Sequence, residues 1–223
     1  MKLLSNKELE ELAVVANCDM NRQRVLHGSN GYDHDLRFDP MEFLRDVAQR
    51  KGNAAWLDLC CGTGKALIEA AAVDDSEALS LSIVGVDLVG MFDRHASANL
   101  QLVEASLSTW QPTRQFDLIT CVHGMHYIGD KLDLIKRSIS WLEVGGRFAA
   151  NLGQENLKLQ GANSSSIISR LRKLGIEYSS RHNLIQSSTN QSLDLPYVYL
   201  GADKDAGPNY TGQPAVNSHY RLL

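Results

Sequence analysis

Two histidines and a tyrosine crowd into Cys121-Val122-His123-Gly124-Met125-His126-Tyr127. A histidine titrates near neutrality and suits removal of a proton from a nucleophile, so His123 and His126 are candidate general bases. Tyr127 is a candidate acid or a wall of the site. Upstream, Asp58 precedes the glycine pair of Gly62-Thr63-Gly64, and Asp87 follows Gly64 by 23 residues. Glycine lacks a Cβ, so the chain turns sharply there and its amides stay open to a ligand. A helix starting after such a turn aims its free N–H groups, and the positive end of its dipole, at the same place. An acid at this remove from a glycine turn reaches ribose hydroxyls in a βαβ nucleotide site. Asp58 is placed to accept from an amine. Leu67 stands where the dinucleotide fingerprint has Gly or Ala, which disfavours a pyrophosphate. The ligand that fits has an amine and a ribose but no phosphate.

The elements that must position these residues alternate. Apolar runs predict strands near 55–59, 83–87, 100–103, 116–122 and 145–151, with helices near 64–72, 91–97 and 131–142 between them. Such alternation implies a parallel sheet with helices on both faces, and ligands bind beyond the carboxyl ends of its strands where the strand order reverses. Asp58, Asp87, Ser106 and His123 all fall at or just past strand ends. Residues 6–17 have helical spacing, and Pro40 opens a helix to Arg50. The polar stretch from Asn21 to Asp39 reads as a loop. After Leu152 a helix covers 163–174, and strand-like runs follow at 176–178, 184–188 and 197–201. The tail around Gly207-Pro208-Asn209 is rich in turn residues and either extends over the surface or folds back over the site.

Leu57-Asp58-Leu59-Cys60-Cys61-Gly62-Thr63-Gly64 resembles the first motif of class I S-adenosylmethionine (SAM) dependent methyltransferases of the small-molecule type. Gly85-Val86-Asp87 resembles their ribose-binding acid, Phe116 to Tyr127 their fourth motif, and Val144-Gly145-Gly146-Arg147-Phe148 the turn into their fifth strand. Cys60 replaces the glycine often found first in motif one. The resemblance implies a Rossmann-like α/β fold, a mostly parallel seven-stranded sheet with an antiparallel edge strand whose last two strands form a hairpin. It implies S-adenosyl-L-methionine as cofactor. Asp58, Cys60, Gly62 and Gly64 would hold the methionine end, Asp87 and Leu88 the ribose, and Ser106 and Leu107 the adenine, with His123 beside the cofactor as well as the acceptor. Ser106 stands where the family often has Asp. A lid commonly precedes the first strand in such enzymes, so 1–50 reads as an N-terminal helical lid region, with Asn30 and Tyr32 as closing residues, and 51–223 as the SAM-binding domain.

Composition bounds the partners. The chain has 223 residues and a formal net charge of −4. With no basic excess to neutralise phosphates, nucleic acid is not the expected substrate. No apolar run reaches the ~18 residues of a membrane span, and the charged start, Met1-Lys2-Leu3-Leu4, does not read as a signal peptide. Cys18, Cys60, Cys61 and Cys121 have no disulfide or zinc spacing and point to a reducing cytoplasm. His27, His34, His95, His182 and His219 have no metal-ligand spacing, so no metal is expected. The expected function is methyl transfer to an O or N nucleophile of a small-molecule acceptor. Two alternatives remain at this level. One is SAM-consuming chemistry that releases methylthioadenosine, by cyclisation or aminocarboxypropyl transfer; the other is a SAM-binding module without turnover. The acceptor, the oligomeric state and the choice between His123 and His126 are not legible.

Overall fold

The computed structural model describes residues 2–12, 22–207, 212 and 214–223. Strand β1 (Ala54–Leu59) is buried along its whole length. Its side chains divide with period two: Ala55, Leu57 and Leu59 enter one core, Ala54 and Trp56 the other. A strand covered on both faces sits at the centre of a parallel sheet. β1 pairs in parallel with β2 (Leu81–Asp87) on one side and β4 (Phe116–Cys121) on the other. β3 (Leu100–Glu104) lies beyond β2, and β5 (Leu142–Asn151) beyond β4, both parallel. The hairpin of β7 (Glu177–Ser179) and β8 (Leu184–Ser187) finishes the sheet, with β8 antiparallel to β5, in the order β3-β2-β1-β4-β5-β8-β7. The order therefore reverses between β1 and β4, and the crevice past their carboxyl ends is where an open α/β sheet binds ligands.

Helices cover both faces. α2 (Tyr32–Leu36), α3 (Pro40–Lys51) and α4 (Lys65–Glu77) pack on one; α5 (Lys131–Ser140) and α6 (Ser164–Lys173) on the other. Asp39 caps α3, accepting from the amide of Met41, and Pro40 supplies the first turn, as the sequence predicts. Leu67, whose bulk disfavours a dinucleotide fingerprint, is fully buried in the space left by the absent side chain of Gly85 on the neighbouring strand.

Three expectations are corrected. Residues 91–97 form no helix between β2 and β3. The only large apolar residues in this segment, Met91 and Phe92, are adjacent, so a helix there would have no continuous apolar stripe to bury. The run at 197–201 is not part of the edge hairpin. It belongs to a second sheet, in which β9 (Tyr197–Asp203) pairs antiparallel with β10 (Asn217–Leu222) and β10 pairs in parallel with β6 (Leu157–Leu159). The stretch read as a loop from 21 to 39 contains α2. The first helix, α1, spans Asn6–Glu10 and ends before Glu11 and Leu12, which form a turn; positions 13–17 of the expected helix, and Cys18, lie outside the described residues.

The second sheet is fastened to the turn after β4 by a buried lysine, whose amine is lowered by burial to a pKa of about 7. Lys131 is fully buried at the start of α5 and donates to the carbonyls of Ile128 (2.8 Å) and Val216 (2.9 Å) and to Ser218 Oγ (3.0 Å). The Tyr220 hydroxyl donates to Asp130 Oδ1 at 3.1 Å, and the amide of Val216 donates to the carbonyl of His126 at 2.9 Å. The chain at Val216 thus lies beside the turn that carries the histidines; most of the turn-rich tail, 208–211 and 213, lies outside the described residues. Leu4 bridges Ala202 on β9, which places α1 against the same sheet.

A buried polar chain links β1, β4 and α2. Trp56 Nε1 donates to Thr120 Oγ1 (2.8 Å), Thr120 Oγ1 donates to Asp58 Oδ1 (2.5 Å), and the Tyr32 hydroxyl donates to Asp58 Oδ2 (2.7 Å). The Tyr32 ring meets Trp56 edge-on. Burial pushes the Asp58 carboxyl up to about 7, against the downward pull of its bonds from Thr120 and Tyr32. An unfolded chain releases that proton near pH ~3.9. The group's contribution to stability is therefore complete below pH ~4 and is lost as pH rises through the folded-state value. In chemical denaturation over this interval, wild type should lose stability relative to Asp58→Asn as pH rises. Parallel curves for the two proteins would show that Asp58 is already ionised in the fold.

Candidate functional site

The turn after β1 is built by backbone conformation. Cys60 has φ 59°, in the left-handed region where glycine is at ease, and Gly62 and Gly64 have φ 62° and 78°. A side chain at Gly62 would collide with the backbone of Arg22, whose carbonyl accepts the Thr63 amide at 2.9 Å. Gly62 is thus required on that side by the protein's own chain. Gly64 caps α4, as the strand–turn–helix reading requires.

Asp87 ends β2 and gathers three donors. Its carboxylate accepts from the amides of Gly62 (2.9 Å) and Val89 (3.0 Å) and from Arg22 Nη1 (2.8 Å). Arg22 Nη2 also donates to the Val89 carbonyl at 3.1 Å. Asp87 stands in the wall of a cleft enclosing about 670 Å³ of empty space, part of it open to solvent. Cys60, Leu88, Leu107 and Tyr127 line the same cleft, so five of the residues predicted from sequence meet there. Leu9 and Glu10 of α1 close it from the N-terminal side. Glu10 accepts from Ser106 Oγ at 2.7 Å, and Ser106 and Ser108 hydroxyls lie 2.6 Å apart. Arg137 on α5 holds the loop after β3 by donating to the carbonyls of Leu107 (2.5 Å) and Trp110 (3.1 Å).

Asp58 does not line the cleft. Both its oxygens are taken by Thr120 and Tyr32, and Tyr32 is a buried anchor of α2. Asn30 is exposed in the preceding turn.

The histidines stand past β4. His123, at φ 56°, leads into a 3₁₀ turn, Gly124–Tyr127. Its amide donates to Asn151 Oδ1 at 3.2 Å, and its Nε2 lies 3.1 Å from Asp35 Oδ2. Asp35 is also paired with Arg24 at 2.5 Å, and its carbonyl accepts from Asn151 Nδ2 at 3.3 Å. Burial pulls the His123 imidazole below its ordinary value, and Asp35 pulls it back. The Asp35 carboxyl is lowered overall: burial acts upward on it, and His123 and Arg24 outweigh that effect. His126 stacks on His123 with ring centres 6.0 Å apart. Burial, with His123 and Lys131 adding to it, lowers His126 to about 3, so it is a neutral ring throughout the physiological range. The Cys60 thiol is held well above its usual range by Cys121 and by burial, which removes it as a nucleophile.

Both histidines are buried and neither lines the cleft; of the two, His123 has a carboxylate beside it. Asp35 orients and stabilises its protonated form as the acid of an Asp–His pair does. Sequence reasoning did not find Asp35, Arg24, Arg22, Glu10 or Asn151. Four of these precede β1, in a region with no strong pattern, and each meets its partner only after the chain has crossed the sheet.

Residues 32–172, more than half of the chain, match the family described as methyltransferase domain. No curated protein matches. Among solved structures, the plantazolicin methyltransferase BpumL, in complex with a monoazolic desmethylPZN analog and SAH, is 13% identical with a TM-score of 0.41, over 64% of this chain and 51% of that one. The sugar N-methyltransferase KedS8 from a Streptoalloteichus species is 25% identical, TM-score 0.37, over 50% and 46%. YjhP from E. coli is 14% identical, TM-score 0.45, over 74% and 72%. The chain spans about half the length of the first two. Through the match over residues 32–172 the chain belongs to the methyltransferase-domain family.

Proposed function

We propose that the chain binds SAM in the cleft above Asp87 and transfers its methyl group to an O or N nucleophile of a small-molecule acceptor. The observation that carries this is the donor set on Asp87. Two backbone amides fix the carboxylate, and the guanidinium of Arg22 presents a third donor from the cleft side. A ribose diol offers donors of the same kind, so it takes the place of Arg22 on this acid. Leu88 and Leu107 supply apolar walls for a flat base. When bound, the cofactor supplies a methyl group made electrophilic by its sulfonium.

The protein's own part is alignment and removal of a proton. His123 accepts the proton of the nucleophile, and Asp35 orients the ring and steadies the cation formed. His126 supports the His123 ring by stacking, and Tyr127 shapes the cleft. Residues 1–50 act as a lid on the domain of 51–223. Its described parts are tied down by Glu10 on Ser106 and by Tyr32 on Asp58. The net charge of −4 favours a small acceptor over nucleic acid. Among the described residues no helix is long and apolar enough to cross a membrane. Cys60, Cys61 and Cys121 are free, which suits the cytoplasm.

Incubation with deuteromethyl SAM and cell extract tests the reading. S-adenosylhomocysteine and a labelled acceptor are expected. Methylthioadenosine would replace methyl transfer by another use of SAM, and absence of both products would leave a binding module. Once the acceptor is found, His123→Ala should lose at least ~100-fold in kcat, the lower end of the range for a general base. S-adenosylhomocysteine affinity should stay within ~3-fold, because the lost interaction serves the transition state. Because His123 is lowered, the acid limb of the wild-type rate should lie below the ordinary histidine value of ~6.5. Full turnover in His123→Ala would remove it as the base.

A further inference from the structure

A second pocket, enclosing about 450 Å³ of empty space, opens past the end of β5. His34, Arg37, Arg181 and His182 line it, with Asp35 and Asn151 also in its wall. Arg37 follows α2 in a left-handed conformation, and Arg181 lies in the turn between β7 and β8. Asp35 is the one carboxylate among these lining residues; it is paired with Arg24 and His123 and lies 3.4 Å from His34, which leaves the two arginines. Among the described residues no carboxylate lies within ion-pair distance of Arg37 or Arg181. Desolvation, with Arg37 and Arg181 adding to it, lowers the pKa of His182. Like charges gathered without a counterion mark a place where an anion is favoured. The pocket also adjoins the reacting centre: Asp35 and Asn151 both contact His123 as well as lining it. His123 in turn stacks on His126, next in sequence to Tyr127 in the cofactor cleft.

We propose that this pocket receives the acceptor and that the acceptor carries an oxyanion group, a carboxylate or a phosphate, which Arg37 and Arg181 bind. The placement of the nucleophile at His123 rests on the reading of the protein as a methyltransferase; the anion site itself does not. Arginine suits either group, since its planar fork donates two parallel hydrogen bonds to an oxyanion. The nucleophile of an acceptor held there lies on the side of the pocket where Asp35 and Asn151 fix His123.

Two measurements test it. In the first, imidazole NMR signals of the intact protein are followed during titration with inorganic phosphate and, separately, with succinate. A saturable shift of His182 with at least one of them is expected, and which one acts tells phosphate from carboxylate. Arg37→Gln/Arg181→Gln should weaken that binding at least ~10-fold, as expected for loss of charge-assisted bonds. No saturable shift with either probe, or one equal in the double variant, overturns the proposal. In the second, the labelled product formed from deuteromethyl SAM and extract is fractionated by charge. An anionic product whose KM rises in the double variant, with S-adenosylhomocysteine affinity unchanged, supports it, and a neutral or cationic product overturns it. If methyl transfer itself fails, the phosphate and succinate titrations still decide whether the anion site exists.

Discussion

The carboxylate of Asp87 is the point on which the cofactor side of the molecule hangs. It ends β2, receives the amide of Gly62 from the turn after β1, receives Val89 from its own strand's exit, and holds Arg22 from the N-terminal region. A buried carboxylate costs free energy unless donors of this kind replace its lost water. Here they join three separate stretches of chain at the point where the strand order reverses. A ligand that takes over one of the three bonds thereby acts on the segment that made it. Arg22 on Asp87, like Glu10 on Ser106, ties the N-terminal region to the cleft.

His123 and His126 divide the site. On the cleft side, Tyr127 follows them in a 3₁₀ turn whose carbonyl at His126 is held by the returning tail. On the other side, Asp35 and Asn151 reach His123 from α2 and from the end of β5. Burial acts on both rings, and the Asp35 carboxylate stands 3.1 Å from His123. Two residues of one type, three positions apart, therefore have different acid–base characters, set by what stands beside each.

The central sheet was legible because a buried parallel strand leaves a near-continuous apolar run, as in Ala54–Leu59 and Phe116–Cys121. The glycine turn and Asp87 were legible because their spacing is fixed by the βαβ unit. The surroundings of Asp58 were not: its position at the strand end reads as ligand-facing, and only the folded chain brings Tyr32 and Thr120 onto it. Asp35 sat in a polar stretch that reads as a loop, 88 positions from His123. The second sheet was hidden because its strands β6, β9 and β10 are short or distant and the pairing of β10 with β6 spans some sixty residues. Residues 91–97 show the reverse error, in which alternation of elements suggests a helix that the local apolar pattern does not support.

Calorimetric titration of S-adenosylhomocysteine into wild type, Asp87→Ala and Arg22→Ala tests the central claim most directly. Loss of the hydrogen bonds to Asp87 should weaken binding ~10- to 100-fold in Asp87→Ala, with circular dichroism showing the fold retained. Arg22→Ala, which frees the carboxylate for the ligand, should bind at least as tightly as wild type. Equal affinity in wild type and Asp87→Ala would contradict the account, because the cofactor would then not rest on this acid.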